Sequence, residues 1–133
     1  LGVERFLISS TLIGTMAQRL VRRICPHCTS ERHLSNEAAA TLRLTVPAGK
    51  RIKVQEGRGC FECRGTGYLG RTGIFEILAV DDAIKALILE GADAPAIKRE
   101  AAKNGMRTLR QSALRKLAEG LTTFEEVVRV TGL

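Results

Sequence analysis

The residues best suited to chemistry are four cysteines in two pairs, Cys25–Pro26–His27–Cys28 and Cys60–Phe61–Glu62–Cys63, with 31 residues between the pairs. Thiolates are soft ligands, and a CxxC turn delivers two of them from one side, so two such turns complete the tetrahedron that Zn²⁺ prefers. The spacing therefore predicts one structural zinc held by Cys25, Cys28, Cys60 and Cys63. Pro26 stiffens the first turn, while Gly65 and Gly67 permit backbone angles that bring N–H groups up to the second pair of sulfurs. Four thiolates around one divalent cation carry a charge of about −2, which Arg22, Arg23 and Arg64 are placed to offset.

Other readings of the cysteines stand beside this one. Two disulfides would suit a secreted chain, and nothing in the sequence reads as a secretory leader. A redox pair normally opens a helix, where the dipole lowers a thiol pKa, and neither pair clearly does so. His27 and His33 are available for a Cys₃His site, but four cysteines already suffice and both histidines read as bystanders.

Catalytic signatures are missing. The nearest approach to a phosphate-binding loop is "PAGKR", where Arg51 follows Lys50 and Leu44 stands five before Gly49, so the motif fails at both ends. There is no nucleophile elbow and no HExxH, and a closed four-cysteine site leaves no coordination position for water. Alone, this polypeptide is expected to be catalytically silent and to bind nucleotide weakly at most.

The chain has 133 residues, 44% of them hydrophobic, with a net charge of +7. That length suits one compact domain or two very small ones. The basic excess is local: residues 1–66 carry 11 basic and 5 acidic side chains, and residues 67–133 carry 10 and 9. Such a surface attracts nucleic acid, anionic lipid or an acidic protein without choosing among them. No apolar run reaches the roughly 18 to 20 residues needed to cross a bilayer, so direct membrane insertion is not expected. Beginning at Leu1, within an amphipathic stretch, the chain reads as an excised fragment.

The elements that must position the cysteines follow from periodicity and caps. Ser9 or Ser10 can cap a helix whose apolar face runs through Ile13, Met16, Ala17 and Leu20, with "VRRIC" continuing to the first pair. Asn36 to Leu44 reads as a short helix. "RIKVQ" alternates as a short strand within a loop or hairpin leading to the second pair, and "RTGIFEILAV" is a strand. Asp81 or Asp82 opens a helix that stops at Gly91; Asp93 and Pro95 open the next, closed by Asn104–Gly105. Met106, Leu109, Ala113, Leu114 and Leu117 recur at helical spacing until Gly120, and "TTFEE" is a capping box. The expected fold class is α+β, mostly helical, with a small zinc-stapled β and loop module.

Three stretches together, "AQRLVRRICPHC", "GCFECRGTGYLGRTGIFEIL" and "GMRTLRQSALRKLAEGLTTFEEVVRVT", closely resemble the C-terminal third of the traffic ATPases that drive type II secretion and type IV pilus assembly. The resemblance covers nearly the whole chain. It implies that residues 1–24 are the tail of a RecA-like ATPase core, 25–70 a tetracysteine zinc module and 71–133 a strand plus helical subdomain. It also implies that ATP and Mg²⁺ act only in a longer parent, whose phosphate-binding loop, acidic boxes and histidine box lie upstream. The parent would be a cytoplasmic hexamer, peripheral to the inner membrane through platform proteins. Cys25, Cys28, Cys60 and Cys63 match the family's zinc ligands; no catalytic residue has a counterpart, and nothing transfers to residues 34–58. Arg19, Arg22 and Arg71 are candidates for contact with nucleotide or a neighbouring subunit, with solvated arginines as the alternative. Other classes remain: a nucleic-acid zinc ribbon, which the 4% aromatic content disfavours, and a chaperone-type zinc module, whose CxxCxGxG unit fits only "CFECRGTG". Retraction ATPases of pili are a nearer rival that would lack the tetracysteine insert.

Overall fold

The computed structural model describes residues 2–46 and 49–132. The fold is α+β, with six helices and two two-stranded sheets among these residues. In chain order these are α1 (Arg5–Thr11), β1 (Gly14–Ile24), β2 (Thr29–His33), α2 (Asn36–Thr41), β3 (Lys53–Gly57), β4 (Tyr68–Ala79), α3 (Asp82–Glu90), α4 (Ala94–Lys103), α5 (Leu109–Ala118) and α6 (Phe124–Thr131). Strand β1 pairs with β4, and β2 pairs with β3.

One expectation is overturned at the start of the chain. The helix expected from Ser9 or Ser10 through Leu20 is instead α1, which ends at Thr11, followed by the 11-residue strand β1. Ser10 and Thr11 turn their hydroxyls back onto the Leu7 carbonyl, at 3.1 and 2.6 Å, and Leu12 is already extended. The spacing of Ile13, Met16 and Leu20 mimics a helical face, yet Ile13 is 90% and Met16 61% exposed, so no helix face is buried there. Pairing with β4 supplies the backbone partners that a helix would have supplied internally. Strand β2, "TSERH", has no counterpart among the expected strands; it is polar, and pairing with β3 holds it extended.

Helices α2, α3 and α4 start where side chains accept their free N–H groups. Ser35 accepts from Ala38 N at 3.1 Å, Asp81 from Ile84 N at 2.9 Å and Asp93 from Ala96 N at 2.8 Å. Helix α2 is shorter than the expected Asn36–Leu44, ending at Thr41. Gly91 closes α3 in the left-handed conformation, φ 76°.

The chain separates into two compact units: Leu1–Ala17 with Phe75–Thr108, and Gln18–Ile74 with Leu109–Leu133. The first is centred on Val80, Ile84 and Ala101, with Leu12, Leu78, Leu87, Ile88, Ile97 and Met106 packed around them. The second has a core of Val21, Leu34, Leu42, Val54, Ile74, Ala113, Leu117, Val127 and Val130. Leu34, Leu42 and Val54 come from the segment between the cysteine pairs. That segment therefore supplies core to α5 and α6 rather than looping free.

Candidate metal centre

The pairing register of β2 and β3 brings the two cysteine pairs together. It is antiparallel, with Thr29 opposite Gly57 and His33 opposite Lys53. The residues just before β2 and just after β3 are consequently neighbours, and Arg58 N donates to the Cys28 carbonyl at 3.0 Å. Cys25 follows directly on β1, and its N–H donates to the Gly67 carbonyl, 2.9 Å, one residue ahead of β4.

The closeness of the strands depends on glycine. A Cβ on Gly57 would lie 2.0 Å from the Gly67 carbonyl oxygen, and one on Gly67 would lie 2.3 Å from that of Gly57. Gly67 also has φ 76°, a conformation side chains resist. With no side chain at either position, backbone packs on backbone and the knuckles meet.

The four sulfurs lie within 4.8 Å of one another. Cys25 to Cys60 and Cys28 to Cys63 are both 3.8 Å, and Cys60 to Cys63 is 3.7 Å. A tetrahedron of sulfurs about 2.3 Å from zinc has edges of about 3.8 Å. These distances exceed a disulfide bond of about 2.05 Å, and all four cysteines are free. The donor set, its number and its edges thus fit Zn²⁺.

Backbone N–H groups converge on the sulfurs. Gly59 N donates to Cys28 Sγ at 3.3 Å, Cys60 N to Cys63 Sγ at 3.1 Å and Gly67 N to Cys63 Sγ at 3.2 Å. Of the two glycines expected to serve the second pair, Gly67 does so; Gly65 N donates to the Cys60 carbonyl, 2.9 Å. Burial pushes the Cys63 thiol up, but the N–H groups of Cys60 and Gly67 outweigh it and bring its pKa to about 6. At Cys28 burial dominates, and the pKa rises to about 12. Burial likewise raises Cys25.

A second polar cluster lies along β1, and the sequence did not single it out. Glu126, fully buried, accepts from Arg22 N at 2.7 Å and from Arg22 Nε at 3.0 Å, and pairs with Arg129 at 2.7 Å. Arg22 also stacks over Tyr68 at 4.0 Å, and the Tyr68 hydroxyl meets Thr123 Oγ1 at 2.8 Å. Arg129 donates to the Leu20 carbonyl, Thr122 Oγ1 to that of Arg22, and Ile24 N to that of Leu121. Arg19 donates to the Val130 carbonyl. The backbone of β1 is thus met by α6 and its leading turn. The capping box closes by half: Thr123 accepts from Glu126 N at 3.4 Å, while the Glu126 carboxylate goes to the arginines. Arg22, expected to offset the thiolates, is committed to this carboxylate. The available signal was the pair of glutamates in "TTFEE", of which one is buried.

The fold and site define an α+β chain with a four-cysteine cluster suited to a metal, and comparison with known families says which class of protein carries it. The family described as "Type II/IV secretion system protein" matches residues 1–129. The chain belongs to that family. It is 45% identical over 131 residues to "Type IV pilus assembly ATPase PilB" of Thermus thermophilus, covering 98% of this chain and 15% of that protein. It is 42% identical over 131 residues to "Type II secretion system protein E" of Pseudomonas aeruginosa, covering 98% and 26%. To "Type IV pilus assembly ATPase TfpB" of Acinetobacter baylyi it is 40% identical over 133 residues, covering 100% and 23%. The chain therefore spans about a quarter or less of the relatives it matches. Among the described residues, no helix is long and apolar enough to cross a membrane.

Proposed function

We propose that this chain is the zinc-binding and helical C-terminal region of an ATPase that powers type II secretion or type IV pilus assembly, and that its role is structural coupling. Cys25, Cys28, Cys60 and Cys63 hold one Zn²⁺. In this reading residues 1–24 end a RecA-like core, 25–70 form the zinc module and 71–133 the strand and helical subdomain. ATP and Mg²⁺ act in the longer protein, a cytoplasmic hexamer seated on inner-membrane platform proteins. The observation that carries the reading is four sulfurs at tetrahedral spacing in a chain of this family.

A four-thiolate zinc has no open position, so the metal serves shape rather than turnover. It fixes the two ends of a segment whose Leu34, Leu42 and Val54 pack with α5 and α6. The module, with the basic strip Arg19 to Arg23 behind it, then transmits movement of the core to a platform protein or the next subunit. Charge reversal at Arg64, or in Lys50 to Lys53, tests this in the full-length ATPase with zinc content verified. Partner-stimulated hydrolysis is expected to fall more than basal hydrolysis. Equal loss of both would mean that the module only supports the core fold.

A further inference from the structure

Away from the cysteines, three arginines from three different elements converge on one cavity. Arg22 of β1, Arg71 of β4 and Arg129 of α6, with Leu20, line a space of about 390 Å³. All four residues lie in the same compact unit. Glu126 is the only acid bonded to these arginines among the described residues, so three positive charges face one negative charge.

The guanidinium donors are unequally used. Arg22 gives Nε and one terminal nitrogen to Glu126, each at 3.0 Å, and its plane is held over Tyr68. Arg129 gives Nε and one terminal nitrogen to Glu126, at 3.0 and 2.7 Å, and the same terminal nitrogen reaches the Leu20 carbonyl at 3.2 Å. Each therefore keeps a terminal nitrogen uncommitted while its orientation is fixed. Arg71 is exposed, and its side chain has no hydrogen-bond or ion-pair partner among the described residues.

We propose that this cavity is a binding site for a multiply charged phosphate group. Guanidiniums match phosphate oxygens in geometry and are only weakly hydrated, so they favour phosphate over a compact monoanion. Two of the three are already immobilised by Glu126 and Tyr68, which lowers the ordering cost of binding. Two excess positive charges suit a diphosphate better than a singly charged anion. Leu20, on one wall, leaves an apolar contact for whatever carries the phosphates. No sequence motif announces such a site, because its donors stand at positions 22, 71 and 129 and meet only through the fold. It involves binding alone, and it does not rest on the metal reading.

The test is calorimetric titration of the 133-residue chain, at low ionic strength and without magnesium, with inorganic phosphate, pyrophosphate and ATP. One pyrophosphate is expected per chain, bound more tightly than phosphate. Arg71→Ala is expected to weaken it about tenfold or more, by removing charge-assisted hydrogen bonds. Arg107→Ala removes an exposed arginine in the other unit, an equal charge outside the cavity, and is expected to change affinity by less than about twofold. ATP matching pyrophosphate would assign recognition to the phosphates alone; ATP binding more tightly would add the Leu20 wall. Should Arg71→Ala lose its circular dichroism, Arg71→Gln carries the same expectation. Absence of binding by all three ligands, or equal weakening by the Arg71 and Arg107 variants, would overturn the proposal.

Discussion

At the scale of single residues, Glu126 and Gly67 carry the clearest consequences. Burial alone would raise the Glu126 pKa, but Arg129 and Arg22 outweigh it and hold it at about 2 against an ordinary 4.5. A depressed carboxylate contributes stability that is complete above its unfolded pKa and disappears as pH falls through the folded one. Stability should therefore drop between about pH 5 and pH 2, and Glu126→Gln should flatten that part of the profile. At neutral pH the same substitution should cost about 3 kcal/mol, at the low end for a broken buried pair because both arginines are half exposed. Chemical denaturation across pH measures both effects. An unchanged acid limb in the variant would remove Glu126 from the account. Gly67→Ala strains φ, drives a Cβ against the Gly57 carbonyl and disturbs the N–H that serves Cys63. A loss of about 2 to 4 kcal/mol is expected, together with weaker metal retention against a chelator.

At the scale of elements, the cysteine cluster and the core are linked through β2 and β3. Removing one ligand with Cys63→Ser should release the knuckles, because metal-binding energy is folding energy in such a module. From spacing alone, residues 25–70 would be expected to unfold more than the C-terminal helices. Yet Leu34, Leu42 and Val54 share a core with Ala113, Leu117, Val127 and Val130, so the loss should extend into α5 and α6. Helices α3 and α4, which belong to the other unit, should keep their protection. Hydrogen exchange reads this directly, and uniform loss across all helices would contradict it. The same elements mark what the sequence could convey. Caps at Asp81, Asp93 and Thr123 are local, side chain to backbone within three residues, and so they were legible. The cysteine pairs were legible because ligand spacing is set within each turn. Strand β1 was not, since Met16 and Leu20 are exposed while only Val21 and Ile24 are buried, and its backbone partners in β4 lie more than forty positions away. Strand β2 and the Glu126 cluster were hidden for the same reason: their partners are distant in sequence.

For the whole molecule, the proposed function makes this chain one part of a longer ATPase, and what the chain does alone is a separate question. The 133-residue chain alone should show no ATP turnover above a contaminant blank, because the sequence carries no phosphate-binding loop; turnover that survives repurification would refute that. The central claim is the metal itself, and the most direct measurement is the zinc content of the purified chain together with X-ray absorption at the zinc edge. The account predicts one zinc per chain with four sulfurs at about 2.3 Å. Well under one equivalent in protein never exposed to chelator, or nitrogen in the coordination shell, would contradict it.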